Sequence, residues 1–280
     1  MKIFITGVSG FIGKSLQEYY VAQGHEVRGY YRNEELLYRL ECYRPDVIIN
    51  CAGEIYKPEL MYSSNVDFVH LILDYMRVHP TTKLIHLGSS SEYGRMDRAS
   101  NETDGIKPVD MYQATKGMGT LLCQGYARQY GLKVAVARVY SAFGPHERAH
   151  RLFPALYRAF FQDQPMTLSK GFHDFIYIDD FVRGIDTLVN CDFVPGDIIN
   201  FGSGIQTSNL EVLQAWERVT GRTAPVTYVD EFSKKFEGGV WQCDTSYAER
   251  TYGFRTEYTL EQGIKDMIGK LNANSINNKK

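Results

Sequence analysis

The chain has 280 residues, a formal net charge of −2 and 44 % hydrophobic residues, enough for one large α/β domain or for one domain plus a smaller lobe. Charges of both signs are mixed along it, which leaves no basic footprint for nucleic acid and no polybasic patch for a membrane. The five cysteines, Cys42, Cys51, Cys123, Cys191 and Cys243, are scattered without metal-ligand spacing and read as reduced thiols of a cytoplasmic protein, with no metal expected.

Residues 1–6 form a buried strand candidate that turns at once into glycines. That is too short and too early for a signal peptide, and no apolar run reaches the ~18 residues of a membrane span. A helix from about Lys14 to Gln23 ends at Gly24. Residues 25–30 read as the second strand, 33–44 as one helix stopped by Pro45, and 46–50 as an apolar strand. Residues 62–79 read as a helix ending before Pro80, 83–87 as a strand, 111–130 as a long helix ended by Gly131, and 133–139 as a strand.

Unbroken apolar strands alternating with helices indicate a parallel sheet covered on both faces. The expected fold is α/β: a doubly wound Rossmann sheet over 1–144, with 174–200 returning to it. Residues 145–173 and 201–270 are expected to form a smaller, discontinuous substrate lobe, and 271–280 a flexible polar tail.

Gly7, Gly10 and Gly13 directly follow the first strand and open a helix, which is the context a dinucleotide-binding loop needs. Gly7 permits the tight turn, Gly10 lets backbone approach a pyrophosphate, and Gly13 lets helix and strand pack closely. The helix N-terminus supplies N–H groups to the anion. Where an NAD site usually places an acid, this chain has Tyr31 followed by Arg32. Arginine suits a 2′-phosphate, so NADP(H) is favoured and NAD(H) is the second possibility.

Tyr112 and Lys116 are four apart on the long helix and so share a face. An ammonium beside a phenol favours the phenolate, so the tyrosine can pass a proton near neutral pH.

With these motifs together the chain resembles the extended short-chain dehydrogenase/reductases, the NAD-dependent epimerase/dehydratase family. The similarity rests on TGVSGFIG at 6–13, Asn65, SSSEYG at 89–94, YQATK at 112–116, RVYSAFG at 138–144 and HDFIYIDD at 173–180. It implies a nucleotide-sugar substrate and a catalytic trio. Ser89 would bind the substrate carbonyl oxygen, Tyr112 would move its proton, and Lys116 would hold the nicotinamide ribose. Asn65 would stand beside the cofactor. The expected cofactor-binding set is completed by Ser9, Phe11, Ile12, Cys51, Ala52, Gly53, Leu87 and Tyr140.

Sugar 4,6-dehydratases of this family carry acids at the two positions after the catalytic serine; here these are Ser90 and Ser91, and Glu92 comes one place too late. The pattern looks closest to reductases of nucleotide-linked 4-keto-6-deoxy sugars, so the leading expectation is reduction of such a hexose ketone with Tyr112 as general acid. A second reading is a nucleotide-sugar epimerase with tightly bound NAD. A third is a non-enzymatic NAD(P)-binding regulator, whose relatives usually lose the tyrosine or lysine kept here. On the substrate side, the resemblance implies Ser89, Ser90, Tyr112, Ser141, Arg151, Leu152 and His173, the last replacing the family's usual arginine. Asp179 and Asp180 are expected to cap the following helix. The resemblance also implies a homodimer built on two helices from each subunit.

Overall fold

A computed structural model describes residues 1–32, 34–232 and 239–277. Strand β1 (Lys2–Thr6) passes through the glycine loop into α1 (Phe11–Ala22), followed by β2 (Glu26–Tyr30), α2 (Leu36–Tyr43) and β3 (Val47–Asn50). Next come α3 (Pro58–Tyr62), a π-helical turn (Ser63–Asp67), α4 (Phe68–Val78) and β4 (Lys83–Ser89), which ends in a 3₁₀ turn (Ser90–Tyr93). The chain continues through α5 (Met111–Tyr130), β5 (Val134–Val139), β6 (Ser141–Phe143), α6 (Leu152–Gln162), β7 (Met166–Lys170) and β8 (Phe172–Tyr177). It ends with α7 (Ile178–Asn190), β9 (Asp197–Phe201), β10 (Gln206–Ser208), α8 (Asn209–Thr220), β11 (Val226–Phe232), α9 (Ser246–Tyr252) and α10 (Leu260–Asn277).

The main sheet is parallel, in the order β2-β1-β3-β4-β5-β9. Its strands read as continuous apolar runs because both faces are buried. Ile3, Ile5, Val47, Ile49, Ile85 and Ala135 pack with Leu16 and Tyr20 of α1 and Ile185 of α7. The alternate residues Phe4, Ile48, Leu84 and Val134 pack with Leu40 of α2, Ile72 of α4 and Cys123 of α5. The strand order reverses between β1 and β3, which opens a crevice over their carboxyl ends. Only α2 lies between β2 and β3 among the described residues, so β2 is the sheet edge. Strands β6, β8 and β10 form a second sheet, and β7 and β11 a third. Both rest on the core that buries β1: Phe143, Phe153, Leu168 and Trp216 belong to the same cluster as Ile3. Among the described residues, no helix is long and apolar enough to cross a membrane.

The expected helix 111–130 is met, because Asp110 accepts from Gln113 N at 2.8 Å at one end and Gly131 takes φ 66° at the other. Several expectations are corrected. The first helix starts at Phe11, so the glycine loop feeds it without a spacer. The second runs only from Leu36 to Tyr43 (Asn33 lies outside the described residues), and Arg44 takes φ 51° because the following proline disfavours helical backbone. The expected helix 62–79 begins four residues early at Pro58, a residue suited to a first helical turn, and is interrupted by the π turn around Asn65.

The segment 174–200 does not return to the main sheet as a whole. Residues through Tyr177 belong to β8, paired with β6 and β10, and the return begins at Ile178. The buried Asp174 carboxylate fixes this arrangement by accepting from the backbone N of Ser203 at 2.6 Å, Gly204 at 2.9 Å and Cys243 at 2.9 Å. Neither Asp179 nor Asp180 caps α7, whose N-cap, Tyr177, makes no side-chain cap. Asp180 instead accepts from the backbone N of Glu257 and Tyr258, and Asp179 pairs with Lys270 at 2.7 Å, so both anchor the C-terminal segment. The tail expected at 271–280 is helical through Asn277. Leu271 packs on the core and Tyr157 OH donates to Asn272 Oδ1 at 2.7 Å, which hold that turn in place. Residues 278–280 lie outside the described residues.

Candidate active site

The glycine loop has no room for side chains. A Cβ on Gly7, whose φ is +68°, would lie 2.8 Å from the Cys51 carbonyl, and one on Gly13 would lie 2.3 Å from Gly7 O. Gly10 is the N-cap of α1, with no side-chain cap and no acid in the first turn. The first-turn N–H groups of the helix have no side-chain cap, a geometry that suits a dinucleotide pyrophosphate. Ser9 falls on the glycine loop, Phe11 and Ile12 open α1, and Cys51, Ala52 and Gly53 follow β3.

A row of side chains unforeseen in the sequence fixes the crevice floor. Thr6 Oγ1 donates to Asn50 Oδ1 at 2.6 Å and accepts from Ala52 N at 3.1 Å, while Asn50 Nδ2 donates to His86 Nδ1 at 3.0 Å. Polar residues closing apolar strands were the available signal. Asn65 is buried and fully engaged: its Oδ1 accepts from Glu54 N at 2.8 Å and its Nδ2 donates to Glu54 O and Thr115 Oγ1, each at 3.0 Å. It locks the loop after β3 onto α5.

At the ribose end the expectation of a basic, acid-free site is corrected. Arg32 is 72 % exposed and its Nη2 lies 3.6 Å from Glu54 Oε2. Tyr31 N donates to Glu34 Oε2 at 3.1 Å. Two carboxylates, Glu34 and Glu54, therefore lie beside Tyr31 and Arg32, and Glu34 is also paired with Arg39. One comes from just beyond the end of β2 and the other from the loop after β3, so the residue at the strand end alone did not reveal them.

Ser89, Tyr112 and Lys116 are brought together where β4 ends against α5. Ser89 ends β4 and starts the 3₁₀ turn; its Oγ lies 2.7 Å from Ser91 Oγ, and it also bonds the Tyr112 side chain. Ser90 is buried in the same turn. Lys116 is buried and its Nζ donates to Leu87 O at 2.5 Å, which is how Leu87 enters the site. The phenol is not lowered as expected. Burial raises it above its ordinary value, with the Ser89 hydrogen bond and Arg151 opposing and Glu92 and Asp110 adding to the rise. Lys116 is directed at a carbonyl, and burial holds its ammonium below the ordinary value.

Across the cleft, Ser141 Oγ lies 3.3 Å from His173 Nδ1, and the His173 ring packs against Phe175. Arg151 opens α6, followed by Leu152, which packs at the core edge. Its Nε donates to Glu147 Oε1 at 3.3 Å. Glu147 was not foreseen: burial pushes its carboxyl up to about 7, and its Oε2 is buried without a hydrogen bond among the described residues. Tyr140, expected beside the cofactor, has its side chain engaged elsewhere. Its hydroxyl lies 2.8 Å from Ser100 Oγ, and its ring packs with Tyr93, Met96 and Cys243, so the side chain is spent on a separate apolar cluster.

Known proteins are similar to this chain in sequence and fold. An uncharacterised UDP-glucose epimerase of Bacillus subtilis is 26 % identical over 75 % of this chain, which spans 66 % of that protein's length. A UDP-glucuronate 4-epimerase of Thermodesulfobacterium geofontis is 25 % identical over 94 % of both chains. Among solved structures, the UDP-glucuronic acid 4-epimerase of Bacillus cereus in complex with UDP-glucuronic acid and NAD superposes with a TM-score of 0.84 at 22 % identity, covering 98 % of this chain and 99 % of that one. The dTDP-glucose 4,6-dehydratase of Bacillus anthracis, in complex with NAD, superposes at 0.87 with 20 % identity, covering 99 % and 98 %. These likenesses show a shared fold. The family model for the NAD dependent epimerase/dehydratase family matches residues 3–202, and the chain belongs to that family.

Proposed function

We propose that this protein is a nucleotide-sugar epimerase with resident NAD, inverting a hydroxyl-bearing sugar carbon, most simply C4. The observation that carries this is the make-up of the 89–93 turn. It brings one proton-transfer partner, Ser89, to Tyr112, while its sole acid, Glu92, is fully buried and paired with Arg138. Water elimination needs a further acid and base; removal and return of one hydride needs only the Tyr112 pair. The carboxylates of Glu34 and Glu54 favour NAD over NADP. The UDP-glucuronate and UDP-glucose 4-epimerases among the relatives support the same reading over the reductase expected from the turn sequence.

NAD held on the Gly7–Gly13 loop would supply the hydride acceptor and donor, and its positive charge would favour the phenolate of Tyr112. Tyr112 takes the hydroxyl proton as the carbonyl forms and gives it back as the carbonyl is reduced. Ser89 donates to that oxygen throughout. Lys116 holds the ribose and keeps a positive charge behind the phenol. Arg151, with Ser141 and His173, faces the nucleotide diphosphate, and the elements outside the main sheet close the substrate side. Tyr62, Leu71, Met111, Met118 and Leu121 are exposed apolar side chains on α3, α4 and α5, the helices on which a homodimer would be built.

The test is to denature the purified protein and identify any released nucleotide, then to offer UDP-, dTDP- and GDP-sugars. Sugar inversion seen by NMR with no net change at 340 nm supports the proposal. Stoichiometric consumption of added NADPH would replace it with the reductase.

A further inference from the structure

Glu92 is the one acid in the catalytic turn, and the mechanism above does not use it. Its side chain is completely buried. One oxygen accepts from Ser89 N at 2.7 Å. The other accepts from Thr120 Oγ1 of α5 at 2.8 Å and from Arg138 Nε of β5 at 2.9 Å. Three elements of the site therefore converge on one carboxylate: the serine at the end of β4, the helix that carries Tyr112 and Lys116, and the strand beyond them. The pocket around it is closely fitted, since a Cβ on Gly88 would lie 2.9 Å from Glu92 Oε1. Arg138 is held in turn, its guanidinium 4.4 Å from the centre of the Tyr93 ring, and Tyr93 OH donates to Asn200 Oδ1 at 2.7 Å.

A buried ion pair adds little net stability compared with an apolar replacement, and its best-attested use is to fix one arrangement. We propose that Glu92 is a positioning residue: its carboxylate fixes Ser89 relative to α5 and supplies the negative charge against which Tyr112 and Lys116 are set. It acts through those side chains and touches no substrate. The proposal rests on the reading that Ser89, Tyr112 and Lys116 work together. The titratable and charged groups facing this pair are Glu92 in the turn, Asp110 and Cys123 at α5, Cys51 after β3, His86 on β4, Arg138 on β5 and Arg151 at α6. Of these, Glu92 is the charge that raises both Tyr112 and Lys116.

The experiment places a difluorotyrosine, whose phenol ionises near neutral pH, at position 112 and follows its fluorine resonance against pH without substrate. Glu92→Gln should move the midpoint down by about one pH unit. Thr120→Val keeps both charges and should leave it in place. An unmoved midpoint in Glu92→Gln overturns the proposal, as does an equal shift in Thr120→Val, which would trace the effect to packing. If Glu92→Gln fails to fold, Glu92→Gln with Arg138→Met leaves no unpaired buried ion and should show the same downward shift; an unmoved midpoint there overturns the proposal too. Because the resonance is read without turnover, an unshifted midpoint beside active wild-type protein sinks this inference alone, and absent turnover beside a shifted midpoint sinks only the functional reading.

Discussion

The two sides of the cleft are built from different materials. The cofactor side is backbone: glycines, helix N–H groups and a floor of paired polar side chains, packed so tightly that one added carbon collides. The proposed catalytic and substrate side is side chain: Ser89, Tyr112, Lys116, Glu147 and Arg151 come from three separate stretches of chain, and burial favours the protonated forms of the Tyr112 phenol and the Glu147 carboxyl. Backbone sites bind by shape and tolerate no change in volume. Side-chain sites react, and their behaviour is set by charge and solvent access.

The largest expected effect lies on the reactive side. Tyr112→Phe should lower turnover about 10³-fold, the scale of a lost general acid–base, while NAD affinity by calorimetry stays within a few-fold. A parallel loss of binding would erase the distinction between the two sides. Gly13→Ala should do the opposite. Its Cβ meets backbone at 2.3 Å, so NAD affinity should fall at least ~100-fold and stability by about 1–3 kcal/mol; calorimetry and urea unfolding measure both.

A third test concerns pH. Glu147 is raised from 4.5 to about 7, so the fold prefers its neutral form. Its contribution is fully present below its unfolded value and is lost as pH rises through 4.5 to about 7. Charging it costs up to about 3 kcal/mol. Glu147→Gln should remove that part of the stability change between acid and neutral pH in urea unfolding, leaving the part due to Glu102, also raised to about 7. An unchanged pH profile would mean that Glu147 is not buried in solution. The smallest effect is expected at Arg32. Because it is 72 % exposed, Arg32→Ala should change NAD affinity less than about threefold. A tenfold loss of NADPH binding instead would restore the sequence-based cofactor preference.

Much of the fold was legible. The parallel sheet followed from apolar runs that both faces bury, and α5 was bounded by Asp110 and Gly131. The π turn was not legible, because Asn65 draws the chain out of helix to bond Glu54 and Thr115, which lie far along the sequence. The site divided in the same way. Gly7, Gly10 and Gly13 announce themselves by local spacing, and Tyr112 and Lys116 by helical periodicity. Glu54 beside Arg32, the burial of Glu147 and the raised phenol are products of long-range packing. The pairing of Tyr140 with Ser100 was not legible for the same reason, since the two residues are 40 apart.

The amino-acid sequence by itself determined what local geometry can encode: strand and helix order, a loop that admits only glycine, and two reactive groups one helical turn apart. The tertiary structure alone decided which charges face one another and how much water reaches them. Those two quantities put Glu54 beside Arg32 and raise the Tyr112 phenol, because electrostatic energy depends on distance and dielectric in space and not on separation along the chain.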